Sequence, residues 1–400
     1  TFLQVLLVGP SAESQWKERA PMPVPRYAAS AVVLGNWIYL IGGKNNAGFV
    51  KEVDRYNPEK DLWMRDVAPL DEGRANAAAV VYKGKIYLIG GESPDKAAVD
   101  DVYVYDPMKN RWEEFESLVE YRNSPAAVVY QNQLLVLGGS DKSGNYLRSA
   151  EVYDPHKKEW KILPEFSLPI QRASFGMFVH RGELFVVGGI FYGPVGSIEH
   201  FVPGQGWVAQ DSLLYPRGDF AMAVAGNYLY IIGGEGFTGP LGNMEIWDLN
   251  SMSRVKEDFW FPIRKGVAAA GYEDGVYLFG GYLPTTRVTL NLTQYYSYTL
   301  SAADNGSEIP RTARLIRAYP NPSRGTVHFQ LSGKSPLAGG NITVFDLRGR
   351  IVWQGVLRPG KGKILWDGKS ETGIPVRSGT YFFRVIAGKD VQTGKIVILR

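Results

Sequence analysis

The chain has no cysteine and only 4 histidines in 400 residues. The missing cysteine excludes a disulfide scaffold, Cys-ligated zinc, thiol catalysis and iron–sulfur clusters. His156, His180, His200 and His328 share no metal-ligand spacing, so no metal and no cofactor are expected. A membrane helix needs about 20 consecutive apolar residues; no such run occurs, and no membrane span is expected. A Gly-x-Ser-x-Gly nucleophile elbow is also missing. Against these gaps stand 46 Gly, 10 Trp and 23 Tyr, a composition that leans toward β structure with many turns.

The net charge of +4 is unevenly divided. Residues 311–400 hold 16 Lys and Arg against 4 Asp and Glu, a net +12; residues 1–310 hold 28 against 36, a net −8. An acidic N-terminal module is thus joined to a basic C-terminal one. The overall basicity says little about a partner for the first module, and no nucleic-acid partner is expected.

Paired glycines follow apolar strands six times: Gly42-Gly43, Gly90-Gly91, Gly138-Gly139, Gly188-Gly189, Gly233-Gly234 and Gly280-Gly281. An Arg stands 16 residues before each pair: Arg26, Arg74, Arg122, Arg172, Arg217 and Arg264. Trp16, Trp63, Trp112, Trp160 and Trp207 precede five of these Arg by 10 to 12 residues. Tyr56, Tyr105 and Tyr153 precede three of the Trp by 7. A period near 48 with these fixed offsets means radial repetition of four-stranded units. The small apolar stretch after each Arg reads as the innermost strand. The apolar run before each glycine pair reads as a second strand buried on both faces. Asp-Pro or Asn-Pro supplies an outer turn, and Trp opens the outermost strand. The fourth unit reaches Trp207 one residue early. In the fifth, Arg254 stands where Trp is expected, which leaves its outer strand in doubt. After the last glycine pair only one strand-like stretch follows, near residues 287–300, so the segment around Trp16 is expected to complete the sixth unit and close the ring.

With these residues the chain resembles the kelch-repeat family over residues 13–300, which implies an all-β fold with a six-bladed propeller. Residues 301–314 read as a linker. Residues 315–400 show about seven strand patterns and read as a small Ig-like β-sandwich. Tyr319-Pro320-Asn321-Pro322, Asp346-Leu347-Arg348-Gly349-Arg350, Trp366-Asp367-Gly368 with Gly379-Thr380-Tyr381, and the basic-apolar finish at 394–400 together resemble the type IX secretion C-terminal sorting domain (type A). They resemble more distantly the Ig-like module of flagellar hook-capping proteins. The sorting-domain resemblance implies recognition by an outer-membrane translocon, often with cleavage, and an extracellular or cell-surface destination. Residues 2–8 are apolar and run into Gly9-Pro10-Ser11-Ala12, so residues 1–12 are read as a signal-peptide remnant.

Little in the propeller points to chemistry. Gly234-Glu235-Gly236-Phe237-Thr238-Gly239 matches GxGxxG but leaves a strand without an ensuing helix, so it cannot cradle a pyrophosphate. Kelch copper oxidases need a Tyr–Cys cofactor, which a Cys-free chain cannot form. The Ser-x-Asp-x-Gly-x-x-Trp boxes of sialidases are missing. The six Arg recur in every unit, which fits a role at the blade seams better than an anion funnel. The resemblance places a ligand face on residues just past each Arg and just past each glycine pair. Carried over residue by residue, it comprises Tyr27, Lys44, Asn76, Glu92, Asn123, Ser140, Tyr192, Asp219, Glu235, Phe237, Lys265 and Tyr282, with no catalytic residue assigned. Aromatic rings beside planar polar groups suit a protein or glycan ligand. The alternatives are a carbohydrate-active enzyme such as a sugar mutarotase, with Glu92, Asp219 and Glu235 as its nominated carboxylates, and a structural surface protein.

Overall fold

The computed structural model describes residues 16–298 except 260–262 and 285. Beyond them it describes 316–319, 323, 325–331, 340–345, 351–357, 363–387 and 390–398. The segments read as a leader (1–12) and a linker (301–314), and the motif residues 320–322 and 346–350, lie outside the described residues. The chain divides into two compact units, Thr1–Tyr298 and Thr299–Arg400.

The first unit is a six-bladed propeller of four-stranded antiparallel sheets. Blade 1 runs Ser30–Leu34, Trp37–Ile41, Val53–Asn57, Leu62–Met64 from the axis outward. Blades 2 to 5 repeat this order from Ala78, Ala126, Gly176 and Ala221. Blade 6 takes Ala268–Tyr272, Gly275–Phe279 and Thr293–Ser297 from the end of the unit, and Trp16–Arg19 from its start as outer strand. Trp16 pairs with Tyr296 and Arg19 with Thr293, so the ring closes with the N-terminal strand. The fifth outer strand, doubtful in the sequence, is present as Ser253–Phe259, with a bulge beside Trp247.

The repeated spacings have direct physical causes. Tyr56 and Trp63, Tyr105 and Trp112, and Tyr153 and Trp160 are cross-strand partners on the outer hairpin. Their rings lie 5.1, 5.1 and 5.5 Å apart, within the range of favourable aromatic pairs. Phe201 and Trp207 keep that pairing despite the shorter loop. The indole N–H groups of Trp63, Trp112, Trp160 and Trp207 donate to carbonyls of Ala20, Ala68, Glu116 and Phe166 in the connection from the preceding blade, at 2.8–3.1 Å.

The offset of 16 is also a bond. Each repeat Arg is fully buried. It donates to the carbonyl of the first glycine in its own blade's pair at 2.5–3.3 Å. In blades 1 to 5 it also meets a carboxylate on or beside the third strand: Asp54, Asp101, Glu151, Glu199 or Glu245. Blade 6 offers Gln294 instead, at 2.9 Å. Burial there holds the Arg264 guanidinium well below the usual arginine range, at about 9. The carbonyl of the next blade's Arg in turn accepts from the second glycine, as Arg74 does from Gly43 at 2.7 Å. A Cβ on Gly42 would stand 2.2 Å from that same carbonyl oxygen, so the close seam requires glycine.

Among the described residues of the second unit, seven strands form a three-stranded and a four-stranded sheet. Val327, Phe329, Ile342, Val344, Trp366, Tyr381, Phe383, Ile396 and Ile398 form one core between them. Trp366 Nε1 donates to the Lys369 carbonyl at 2.8 Å, and a Cβ on Gly368 would meet the Gly325 carbonyl at 2.2 Å. The Trp366-Asp367-Gly368 motif is therefore a packed turn.

Candidate ligand face at the channel mouth

Each inner strand begins, and each second strand ends, at the same end of the propeller. There the residue after Arg forms a β-bridge with the residue after the glycine pair in every blade: Tyr27–Lys44, Ala75–Glu92, Asn123–Ser140, Ala173–Ile190, Gly218–Glu235 and Lys265–Tyr282. The two sets of loop residues thus form one surface.

Two residues past each Arg the backbone is left-handed. φ lies between 52° and 60° at Ala28, Asn76, Ser124, Ser174, Asp219 and Gly266. This turns each N–H toward the preceding blade. Asn76 donates to Ala28, Ser124 to Asn76, Ser174 to Ser124 and Asp219 to Ser174, each at 3.0 Å, and Ala28 to Gly266 at 2.7 Å. A girdle of five backbone hydrogen bonds therefore runs around the axis from blade 6 through blades 1 to 5. The sequence carries its signal, since small residues, Asn, Asp and Gly tolerate this conformation best; the reading from sequence missed it.

Eight of the expected site residues meet in a continuous arc over blades 5, 6, 1 and 2. Lys44 Nζ and Asn76 Nδ2 both reach Glu92 Oε1, at 2.7 Å each. Lys265 is ion-paired with Glu235. The Tyr27 and Tyr282 rings lie 5.3 Å apart. Burial, with the nearby Glu92 carboxylate and Tyr282, lifts the Tyr27 hydroxyl above the usual phenol range. Burial pushes the Asp219 carboxyl up to about 6, against the pull of Lys265 and with the push of Glu235.

Asn123 and Ser140 form a neutral patch on blade 3, where Asn123 Nδ2 donates to the Ala97 carbonyl at 2.8 Å. Tyr192 and Phe237 stand apart from the arc as exposed rings, 85% and 74% accessible. Tyr192 is left-handed, with φ at 52°. Its ring lies 4.7 Å from Phe191 and 5.6 Å from Tyr146, while Phe237 passes beside Gly193. Tyr146, which the sequence reading overlooked, joins this aromatic ridge because its loop follows a different glycine pair. The GxGxxG stretch is the tip of a small hairpin in which Glu235–Gly236 pairs with Gly239–Pro240. Among the described residues no three His, Asp or Glu side chains gather as a metal site.

Comparison with known proteins agrees with this architecture. Residues 6–189 match the KLHDC2/KLHL20/DRC7 Kelch-repeats domain, and residues 216–251 match the Kelch motif. The chain belongs to the kelch-repeat propellers. Residues 317–399 of this kelch protein match the Secretion system C-terminal sorting domain, which indicates export to the cell surface or extracellular space. Mouse Kelch-like protein 9 is 38% identical over 56 residues, which cover 13% of this chain and 9% of that protein. Human Kelch-like protein 13 is likewise 38% identical over 56 residues, covering 13% of this chain and 8% of its own length. The match thus spans about a tenth of these relatives. Among solved structures, the one titled "Structure of YjhT" superposes with a TM-score of 0.59 at 14% identity, over 68% of this chain and 95% of that one; it speaks for the fold alone.

Proposed function

We propose that this is a type IX-exported kelch propeller that binds a protein or glycan ligand through the channel-mouth face, its sorting domain engaging the translocon. The observation that carries the reading is the aromatic ridge in which Tyr192 and Phe237 stand exposed and Tyr192 rests on the half-buried Tyr146 and Phe191. Tyr192 holds a left-handed backbone, which costs a non-glycine residue about 1 kcal/mol or more, and its ring remains 85% accessible. A large aromatic displayed at that cost fits a contact residue better than a packing residue. Glu92 and Glu235, nominated for acid–base work, are each paired with a lysine, and no reaction is assigned.

The test is the purified full chain on protein and glycan arrays, beside a variant with Tyr192, Phe237 and Tyr282 replaced by alanine. Binding by the parent and its loss in the folded variant support the face; binding that survives all three replacements rejects it. Mass spectrometry of culture medium and surface fractions tests export. A chain found intact only inside cells removes that part.

A further inference from the structure

The girdle around the axis carries four neutral, small side chains, one glycine and one acid. Ala28, Asn76, Ser124, Ser174 and Gly266 show that the backbone role at this position needs no charge. Asp219 has one, and its carboxylate accepts no hydrogen bond and forms no ion pair among the described residues. Lys265, whose charge acts on Asp219, is already held by Glu235. Lys44, across the mouth, is held by Glu92. Both lysines are thus engaged by glutamates, and Asp219 holds its carboxylate in a partly desolvated place without a bonded counter-ion, a costly arrangement.

The girdle is also incomplete beside that acid. Among the described residues no hydrogen bond joins the Gly266 N–H to the Asp219 carbonyl, the counterpart of the five links above. Blades 5 and 6 are tied at the opposite end instead, where the Gly226 N–H donates to the Glu273 carbonyl at 2.9 Å. Tyr282, bridged to Lys265 on the adjoining blade 6, and Tyr27, against Tyr282 from blade 1, place two aromatic rings on the same end of the propeller. Aromatic faces and a carboxylate are the two groups that hold a desolvated ammonium or guanidinium.

We infer that the channel mouth binds a Lys or Arg side chain of a protein partner, with Asp219 as its counter-ion and the Tyr27–Tyr282 pair beside it. The inference rests on the face proposed above and names the chemistry it recognises. A neutral glycan would leave the charge of Asp219 unanswered, and an acidic one would be repelled.

The experiment uses the full chain on an array of short peptides carrying Arg or Lys, each matched by a peptide with citrulline or acetyl-lysine at the same position. The parent should retain the basic peptides at least about tenfold better than their neutral counterparts. Asp219→Asn should abolish that preference while keeping the thermal midpoint at or above that of the parent, which separates loss of recognition from loss of fold. Equal retention of basic and neutral peptides, retention of neither, or a preference that survives Asp219→Asn overturns the inference. A Tyr192→Ala, Phe237→Ala variant keeps the two readings distinct. If it loses a binding that ignores peptide charge, the cation site falls and the face stands; if it also binds unchanged, both fall.

Discussion

Arg122 Nε lies 2.8 Å from Glu151 Oε1 with both side chains wholly buried in blade 3. Glu151 also accepts from the backbone N–H groups of Val119, at 2.6 Å, and Glu120, at 3.2 Å. Removing the carboxylate leaves the buried Arg122 Nε and two amide donors without their acceptor, and the guanidinium with Glu120, 2.7 Å from Nη2, as its remaining counter-ion. Glu151→Ala should cost about 3–5 kcal/mol, and Arg122→Lys less, because it keeps the charge and loses the fork. Urea unfolding of the two variants checks the order; equal, small losses would contradict the seam role.

The glycine pairs make a steric prediction. Gly42→Ala would force a Cβ to 2.2 Å from the Arg74 carbonyl at a φ of 61°. The expected loss is on the order of 2–4 kcal/mol. Gly48→Ala serves as control, since its Cβ would meet nothing within 4 Å. A chemical denaturation midpoint for each distinguishes close contact from backbone conformation alone.

Ring closure predicts a large response to a short deletion. Removing residues 11–23 would delete Trp16–Arg19, the outer strand of blade 6, and Met22, which is buried and donates its N–H to the Asn291 carbonyl at 2.8 Å. It would expose the edge at Thr293–Ser297. The thermal midpoint should fall by about 10 °C or more, and light scattering should report association. An unchanged melting curve would show that closure contributes nothing.

Asp219 predicts a pH dependence of unusual sign. Its folded pKa, about 6, lies above the ordinary aspartate value of 3.8. The folded chain therefore holds this proton more tightly than the unfolded chain. The penalty for ionising Asp219 is absent below pH 3.8, grows between 3.8 and 6, and is complete above 6. It amounts to about 2–3 kcal/mol. Asp219→Asn should remove this component, so the stability difference between variant and parent should widen from pH 4 to 7. A difference that is flat across that range refutes it.

Much of the fold is written in the sequence because its offsets are bonds. Sixteen residues separate Arg26 from the Gly42 carbonyl it bonds, and seven separate Tyr56 from the Trp63 it faces. Even the exceptions follow: Trp207 still faces Phe201, and Arg254 takes the place opposite Trp247. The face was legible as two sets of loop residues. Its partners were not, because Lys44–Glu92, Tyr27–Tyr282 and Glu235–Lys265 each join different blades through side chains that the other repeats do not share. The girdle was missed for another reason: the alternation of Ala, Asn, Ser, Asp and Gly hides a shared backbone angle behind unlike side chains.

The partnership of Trp16 with Tyr296 also sets a schedule for biosynthesis. The two residues are about 280 positions apart, so blade 6 is finished by a strand made long before its other three. Until the ribosome has passed Ser297, that early strand has no place to pair. A stall during the sixth repeat leaves five whole blades and an open one, a species that can recruit a neighbouring chain. The propeller can thus close only after its last repeat has been made.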